Sequence, residues 1–472
     1  MVSLTFYGGV KEIGGNKILL EDQDTKVFLD FGMSFGKRGQ YFEEFLTPRT
    51  ANGLGDFLEL GLVPDIPGVY RSDLLEHLGR KLEEPEVDAV LLSHSHADHA
   101  NYISFLHEDI PVYCGKTTLA VLEAVQESSQ RNIENEIINF KKRPLFRKDY
   151  KKPPVERKFH TFRTGEKVRI GSLEVEPVHV DHSVPGAYGF IIHASDATIV
   201  YTGDLRLHGN RPEMTREFVE KASENQPDVL ITEGTRVDVP SDDRTEKRVY
   251  QESRKVVSKA KNLVIVDFNF KDVDRFRTFY KIAQETGRKM VISFKHACYL
   301  ERYHQDKNLR APDSTDENIM IMKPKLMTGT YSDEDYAAYH YIRDRLDYPN
   351  ILTAEDVGRK QSEYMIVLNF WYFNQLVDIK PEQGSVYIHS LSEPFNEEMA
   401  VSAARQENWL EHFGLKKFQS HCSGHAPGKD LLEIAKTLSP KILFPVHTEH
   451  PGMFRKLTSK TKMIKEGKKY TV

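Results

Sequence analysis

Three histidines and one aspartate fall within six consecutive positions of this 472-residue chain, directly after an apolar segment. Residues 88–92 (DAVLL) are typical of a strand, and residues 93–99 (SHSHADH) follow at once. In extended chain, residues two apart point the same way, so His94 and His96 can face one ion. A turn would bring Asp98 and His99 to a second ion. Imidazole and carboxylate donors without thiolate suit zinc or manganese, so the pattern predicts a metal centre at a strand end.

Other apolar segments end in side chains of the same kind. They are residues 177–185 (PVHVDHSVP), 199–205 (IVYTGDL) and 442–447 (ILFPVH). Taken alone, Asp204 after a glycine is typical of a turn, and His447 is typical of a packed core histidine. One pattern repeated at four strand ends favours a shared site, because such ends can meet at one edge of a sheet.

Two regimes of secondary structure follow one another along the chain. In the first half, short β-branched and aromatic runs alternate with turns and helical patterns, which predicts two sheets with helices outside. From about Thr235, helical patterns over residues 243–261, 273–287, 333–346 and 397–413 separate apolar runs. This alternation predicts a parallel sheet covered by helices. After Gly414 the short strands and histidine-bearing loops return.

Composition limits the class of protein. The length allows two or three domains, and three distant cysteines, Cys114, Cys298 and Cys422, cannot form a disulfide framework. The N-terminus lacks the basic start and apolar run of a signal peptide. The longest apolar stretch, residues 364–373, is too short to span a bilayer. We therefore expect a soluble, cytoplasmic protein without a membrane partner.

Positive charge is concentrated although the net charge is −5. Residues 141–169 carry 12 basic and 3 acidic side chains, and residues 455–469 carry 7 and 1. Most charge runs are simply solvated surface. Basic patches on an acidic body also fit an enzyme that binds a polyanion at selected places.

The four histidine- and aspartate-bearing motifs (HSHADH, HSVP, TGD and PVH) resemble those of the metallo-β-lactamase-fold hydrolases. The resemblance implies His94, His96 and His182 as ligands of one ion. It implies Asp98, His99 and His447 as ligands of the other, with Asp204 bridging. His179 competes with His182, but the family's ligand stands just before Ser-x-Pro. Flavodiiron relatives usually carry Glu at position 96, which disfavours them. A lactam, a thioester or a phosphodiester would all suit such a centre.

The second regime resembles the β-CASP domain of nucleic-acid-processing enzymes. Three motifs match this subgroup: residues 230–235 (LITEGT) with Glu233, residues 423–426 (SGHA) with His425, and residues 445–447 (PVH). With the start at residues 8–16 (GGVKEIGGN), they most resemble ribonuclease J, especially archaeal forms. The implied fold is an α/β metallo-β-lactamase αββα sandwich with an inserted β-CASP domain. We expect residues 1–235 and 416–472 to form the sandwich and residues 236–415 the insertion.

This resemblance also implies an activity and its residues. The activity is metal-dependent hydrolysis of single-stranded RNA that leaves 5′-phosphate products. It would proceed 5′→3′ from a 5′-monophosphate end, and the same enzyme could also cleave RNA internally. The cofactors would be two Zn²⁺, with Mn²⁺ as the alternative. Asp98, His425 and Glu233 are expected to be catalytic. The expected phosphate-binding residues are Ser423, Gly424, His425, Ser390 and Ser392.

Two departures from the family bear on partners and substrate contacts. Bacterial members usually carry a further C-terminal domain, whereas 25 residues follow His447 here, which leaves a homodimer open. Residues 389–394 (HSLSEP) stand where the family has a GSQGE-like loop, so contacts to RNA there can differ.

Three alternatives stay open or are disfavoured by residues. An endoribonuclease of the 3′-end-processing kind has the same metal motifs. A DNA-directed relative would typically carry Val at position 447. A non-catalytic RNA-binding subunit would have lost ligands, whereas all seven positions are filled here.

Overall fold

Short strands fill the first half of the chain, as the sequence predicts. The computed structural model describes residues 1–43, 45–129, 132–143, 145, 153–392, 397–456 and 460–472. The strands are β1 (Ser3–Gly8), β2 (Lys17–Asp22), β3 (Thr25–Phe31), β4 (Ala89–Leu92), β5 (Val112–Gly115), β6 (Asn139–Phe140), β7 (Val155–Glu156), β8 (Phe159–Phe162), β9 (Val168–Ile170), β10 (Leu173–His179), β11 (Tyr188–His193), β12 (Thr198–Tyr201), β13 (Val229–Glu233), β14 (Val264–Asp267), β15 (Lys289–Ser293), β16 (Ile319–Met322), β17 (Ile351–Leu352), β18 (Tyr364–Val367), β19 (Val386–His389), β20 (Lys416–Gln419), β21 (Ile442–Val446) and β22 (Lys469–Thr471).

The longer helices lie mainly in the middle of the chain. The α-helices are α1 (Phe35–Gly39), α2 (Gly55–Glu59), α3 (Ser72–His77), α4 (Ala97–Ala100), α5 (Lys116–Ser128), α6 (Pro212–Glu224), α7 (Glu246–Val257), α8 (Val273–Glu285), α9 (Phe294–Gln305), α10 (His340–Arg343), α11 (Ala354–Arg359), α12 (Leu376–Ile379), α13 (Glu397–His412) and α14 (Gly428–Leu438). Short 3₁₀-helices lie at Thr50–Asn52, Asn101–Phe105, Ile133–Asn135, Asp333–Tyr336, Gln361–Glu363, Phe370–Gln375 and Pro451–Lys456.

The described chain divides into two compact units. The first consists of Met1–Leu207, Arg211–Asp242 and Gly424–Val472, and the second of His208–Asn210 and Asp243–Ser423. The sequence-based domain boundaries, after residues 235 and 415, fall a few residues before these divisions.

Two sheets pack face to face in the first unit. Their strand orders are β22-β1-β2-β3-β4-β5-β8 and β21-β13-β12-β11-β10-β9. Apolar side chains of both sheets, such as Phe6, Phe190 and Phe444, form one buried core between them. A second core joins the first sheet to α2, α3 and α5, and a third joins the second sheet to α6 and α14. The layers are therefore helix, sheet, sheet and helix.

Strand β12 shows how the sequence builds these layers. Ile199 and Tyr201 belong to the core between the sheets, whereas Val200 belongs to the core under the helices. Successive side chains of a strand point to opposite faces, so a strand covered on both faces must be apolar throughout.

The second unit contains a parallel seven-stranded sheet in the order β17-β16-β15-β18-β14-β19-β20. The predicted helices at 243–261, 273–287 and 397–413 correspond to α7, α8 and α13. The helix predicted over residues 333–346 is wrong, because a 3₁₀-turn, a break at Tyr339 and the short α10 occupy this segment. The Asp335 side chain turns inward and accepts hydrogen bonds from Thr328, which favours the turn over a continuous helix.

A buried ion pair joins α7 to α8 in this unit. The Arg275 guanidinium lies 2.8 Å from Glu246 Oε1, and both side chains are at most 1% exposed. Replacing Arg275 with Met should lower the free energy of unfolding by ~3–5 kcal/mol, because it removes the guanidinium from a buried carboxylate. Urea denaturation of the whole chain would measure this.

Arg254→Met is the matched control for that variant. Arg254 also pairs with a carboxylate, Glu285, at 2.7 Å, but it is 52% exposed. Exposed pairs contribute little, so the control should unfold at nearly the wild-type midpoint. Equal destabilisation by both substitutions would contradict the prediction.

Within the described residues, none of the helices has the length and apolar character needed to cross a lipid bilayer.

Candidate metal centre

The end of β4 carries the first four candidate ligands. β4 ends at Leu92, and His96, four residues later, is in an extended conformation with φ and ψ of −68° and 151°. The helical turn α4 then begins at Ala97 and includes Asp98 and His99. The extended step and the turn thus present two pairs of ligand-type side chains, in the local geometry that the sequence predicts.

The second sheet carries three further acidic or imidazole side chains to one edge. β12, β13 and β21 are neighbouring parallel strands, so their carboxyl ends lie together. Asp204 follows β12, Glu233 ends β13 and His447 follows β21. The left-handed φ of His447, 52°, is uncommon for a residue other than glycine and turns the chain directly after the strand.

His94, His96, His182 and Asp204 form the first ligand group. His96 Nδ1 lies 3.1 Å from His94 Nε2 and 3.0 Å from His182 Nε2. His94 Nε2 lies 3.5 Å from Asp204 Oδ2. Ligand atoms about 2.05 Å from a tetrahedral ion stand about 3.3 Å apart, so these spacings fit a shared ion.

Asp98, His99 and His447 form the second group. Asp98 Oδ2 lies 3.0 Å from His447 Nε2 and 3.9 Å from His99 Nε2. Burial raises the pKa of the Asp98 carboxyl, but the His99 and His447 imidazoles lower it more, so the net pKa is well below its usual range. Asp98 therefore carries the anionic form that a metal ion needs.

Asp204 lies between the two groups. Its Oδ2 is 3.1 Å from His99 Nε2, 3.7 Å from His447 Nε2 and 3.8 Å from His182 Nε2. Asp204 Oδ1 is buried without a hydrogen-bond partner within the described chain, and the buried His99 Nε2 faces the Asp204 carboxylate without a well-formed hydrogen bond. Buried polar atoms without partners are costly unless something else binds them. These atoms and the donor set around them fit divalent cations.

Three imidazoles are oriented through their Nδ1 atoms. His99 Nδ1 lies 2.7 Å from Asp30 Oδ2, His447 Nδ1 lies 2.8 Å from Thr235 Oγ1, and His182 Nδ1 lies 2.6 Å from the Gly424 carbonyl oxygen. A proton held at Nδ1 leaves the Nε2 lone pair for a metal, as is usual for ligating histidines.

The sequence motifs predict no role for Asp30 or Thr235. Asp30 is buried with a φ of 57°, and it also accepts hydrogen bonds from Ser93 and Tyr201. An aspartate inside the apolar segment 27–31 (VFLDF) is the one signal that points to it. Thr235 directly follows the quoted Glu233-Gly234 pair, but nothing in the sequence pairs it with His447.

The imidazoles differ in the direction in which their surroundings shift the pKa. Burial lowers the pKa of His94 and His182 well below the usual value, so both stay neutral. Burial also lowers the pKa of His99 and His447, but nearby carboxylates, above all Asp204, raise it more. The net pKa of both lies above the usual histidine value. The carboxylates therefore make the surroundings of the second group more negative, which favours a cation there.

Glu233 connects His425 to the centre. Its Oε2 accepts hydrogen bonds from His425 Nδ1 at 2.9 Å and Thr235 Oγ1 at 2.7 Å, and its Oε1 accepts from the Leu205 amide at 2.8 Å. Glu233, Asp204 and His447 also lie close enough to share an ion. Because three donors already bind Glu233, its geometry suits orientation of His425 better than metal binding.

Gly424 is required by close packing. A Cβ atom at this position would lie 2.4 Å from Ser183 Oγ and 3.2 Å from His182 Cε1. The Gly424 carbonyl can therefore reach His182 only if residue 424 has no side chain.

His179, the competing candidate, lies apart from the ligand groups. Its Nδ1 is 2.8 Å from Thr164 Oγ1, and its ring packs on Tyr188 with centroids 4.0 Å apart. The structure brings His182 to the ligand cluster and leaves His179 beside these two side chains.

The other predicted phosphate-binding serines lie in the second unit. Ser390 is buried, its hydroxyl donates to the Ser420 carbonyl at 2.5 Å, and Arg275 donates to it. Ser392 is exposed, and the Ser423 carbonyl oxygen lies 2.9 Å from His208 Nε2. A phosphate-binding role for these serines stays a prediction.

The basic runs are described only in part, since residues 144, 146–152 and 457–459 lie outside the described chain. One member has a structural role. Arg157 is 5% exposed and donates to the carbonyl oxygens of Ile137, Leu106 and His107. Its charge is therefore used inside the protein and not on an RNA-facing surface.

Comparisons with known proteins agree with this geometry. Residues 63–243 match a beta-lactamase superfamily domain, and residues 416–465 match a Zn-dependent metallo-hydrolase RNA specificity domain. Ribonuclease J 2 of Streptococcus pyogenes is 26% identical over 98% of this chain and 72% of its own length. Ribonuclease J of Pyrococcus abyssi is 23% identical, over 99% of this chain and 93% of its own length.

A solved structure from Enterococcus faecalis V583, of a protein of unknown function, has the same fold. It covers all of both chains with a TM-score of 0.74 at 23% identity. The predicted fold class, and the resemblance to ribonuclease J, are confirmed.

Proposed function

We infer that this chain, a relative of ribonuclease J with the metallo-β-lactamase fold, is a metal-dependent ribonuclease. The observation that carries the inference is the position of Asp204, whose Oδ2 lies within 4 Å of imidazole nitrogens from both ligand groups. A carboxylate shared in this way is what a two-ion hydrolytic centre needs. The relatives' names supply RNA as the substrate class.

The donor set supports two ions. His94, His96 and His182 would hold one, Asp98, His99 and His447 the other, and Asp204 both. Nitrogen and oxygen donors without thiolate suit Zn²⁺, with Mn²⁺ as the alternative. When bound, such ions make water nucleophilic near neutral pH and offset the charge that builds up on a phosphoryl group.

His425 is the proposed proton donor. Burial lowers its pKa, but the Glu233 and Asp204 carboxylates raise it more, to about 9, so the imidazole is protonated at neutral pH. Glu233 holds the Nδ1 proton, which leaves the Nε2 proton for the departing 3′ oxygen.

The reaction cleaves the bond between phosphorus and the 3′ oxygen. A water oxygen attacks phosphorus while Asp98 accepts a hydrogen bond from that water, whose proton is released to solvent. The bond from phosphorus to the 3′ oxygen breaks, the 3′ oxygen takes its proton from His425, and His425 is reprotonated from solvent. The products are a 5′-phosphate and a 3′-hydroxyl. The Ser423-Gly424 turn beside His425 would hold a neighbouring phosphate.

We further propose 5′→3′ exonuclease action on single-stranded RNA with a 5′-monophosphate, combined with internal cleavage on some substrates. A homodimer is compatible with this activity. The direction of cleavage decides between this activity and a 3′-end-processing endoribonuclease.

A time course on RNA labelled at either end tests the direction. With 5′-labelled RNA we expect labelled mononucleotide as the first product, because the terminal nucleotide leaves first. With 3′-labelled RNA we expect a full-length band that fades without discrete intermediates. The control is the same RNA incubated with protein whose metal ions have been removed by a chelator, and this RNA should stay intact.

Discrete fragments from both labels at the earliest times would instead indicate an endoribonuclease. RNA that stays intact with metal-loaded protein would contradict ribonuclease activity altogether.

A further inference from the structure

A cavity lies in the second unit, at the carboxyl edge of its parallel sheet. We call it the sheet-edge cavity. Its volume is about 560 Å³, including the part open to solvent. Residues that follow three neighbouring strands line it: Lys295 after β15, Pro324 after β16 and Asn369 after β18. Gln375, at the end of the 3₁₀-turn Phe370–Gln375, lines it too. The cavity wall is largely apolar with a few converging polar side chains, which is typical of small-molecule sites.

The topology of the sheet opens a crevice at this place. From β15 the chain continues through α9 to β16, on one side of β15. From β18, on the other side of β15, it continues past β14 to β19. The connections leave in opposite directions, and doubly wound sheets bind ligands in the crevice outside such a point.

Gln375 lines this cavity and carries a buried polar atom without a hydrogen-bond partner in the described part of the chain. The side chain is 6% exposed, and its Oε1 has no hydrogen-bond partner in the described part of the chain. A buried carbonyl oxygen without a donor is costly, so such an atom in a cavity wall points to a ligand that supplies the donor.

Lys295 adds a positive charge without a counterion. In the described chain, no carboxylate lies within ion-pair distance of its ammonium group. Burial lowers its pKa, as expected for an ammonium that lacks an anionic partner. Lys295 stands in the first turn of α9, a helix of twelve residues, where backbone amides also favour an anion.

Aromatic rings border the same space. Tyr341 and Tyr372 line the cavity, and Trp371, next to Tyr372, is 67% exposed. Exposed aromatic rings beside a cation are typical of surfaces that stack nucleobases.

We propose that the sheet-edge cavity binds a nucleotide. Its phosphate would pair with Lys295 and the first turn of α9, its base would pack against Tyr341 and Tyr372, and an N–H of the base would donate to Gln375 Oε1. An acidic peptide would use Lys295 but leave Gln375 and the rings without partners. The nucleotide can be free or part of an RNA strand, and only the strand form rests on the proposed function.

Tryptophan fluorescence tests this proposal directly. The chain has two tryptophans, Trp371 and Trp409, so Trp409→Phe leaves Trp371 as the single reporter. Titration of this metal-loaded variant with adenosine 5′-monophosphate, and separately with uridine 5′-monophosphate, should change its emission saturably. Lys295→Met in that background should raise the dissociation constant about tenfold or more, because a charge-assisted contact is lost.

Lys289→Met is the matched control, because Lys289 is an exposed lysine at the opposite end of β15. It should leave the dissociation constant unchanged. Equal dissociation constants for the Lys295→Met and Lys289→Met variants would overturn the proposal. So would a tryptophan emission that neither nucleotide changes. A Gln375→Glu variant should also weaken binding, because the new carboxylate repels the negatively charged nucleotide.

A short single-stranded RNA distinguishes the two sources. RNA that displaces the mononucleotide supports a strand contact, whereas RNA that does not displace it supports a free-nucleotide site. Hydrolysis of RNA without nucleotide binding at Trp371 would remove this proposal alone. Nucleotide binding without hydrolysis would remove the proposed function alone.

Discussion

RNA hydrolysis should fall by at least about a thousandfold when His182 is replaced by Ala, and it should stay close to wild type when His179 is replaced. The two histidines are three residues apart, but only His182 directs a ring nitrogen into the ligand cluster, 3.0 Å from His96 Nδ1. Losing one of the ligands of an ion removes several kcal/mol of transition-state stabilisation, which corresponds to this factor. Initial rates on 5′-monophosphorylated RNA measure the effect.

His179→Ala is the matched control because the residue type and the strand end are the same. Its ring contacts Thr164 and Tyr188, so some loss of stability is expected but no loss of metal. Equal rates for the two variants would show that the ligand groups do not act in hydrolysis. A loss confined to His179→Ala would mean that the ligand has been chosen wrongly.

The second large effect concerns the proton donor. His425→Ala should lower kcat by about 10²–10⁴, the usual contribution of general acid catalysis, with the metal content unchanged. Glu233→Gln should lower kcat less, by about 10–100-fold, because Glu233 acts by positioning His425.

The pH profile separates the two roles. Glu233 raises the pKa of His425, so removing its charge should lower that pKa. A general acid acts in its protonated form, and the rate falls as the pH rises through its pKa. The alkaline limb of kcat should therefore move to lower pH in Glu233→Gln and be absent in His425→Ala. An unchanged alkaline limb in both variants would contradict a proton-donor role for His425.

The convergence of the candidate ligands could be predicted because each follows a strand of recognisable pattern. In a layered α/β fold, the carboxyl ends of neighbouring parallel strands reach one edge, so Asp204 and His447 are expected together without coordinates. The choice of His182 over His179 came from the resemblance, since spacing alone allowed either.

The residues that orient the ligands could not be predicted in this way. Asp30 contacts His99 across 69 positions, and Thr235 contacts His447 across 212. The contact of Gly424 with His182 uses a backbone carbonyl, which no side-chain pattern reveals. Long-range partners of this kind are fixed by the packing of the two sheets and not by local sequence.

Local patterns also misled where tertiary contacts override them. Residues 333–346 have helical spacing, but the buried Asp335 bonds to Thr328, and a 3₁₀-turn forms here in place of a continuous α-helix. Arg157 belongs to a basic run that reads as solvated surface, yet it binds three backbone carbonyl oxygens inside the first unit. Charge counts describe composition and cannot show which cations are used internally.

The number of divalent ions per chain, measured by elemental mass spectrometry on the samples used for RNA hydrolysis, tests the central idea most directly. We predict two ions of zinc or manganese in the wild-type chain, a smaller number in His182→Ala, and an RNA cleavage rate that falls with metal occupancy. A chain that cleaves RNA at full rate while holding no divalent ion would contradict the account.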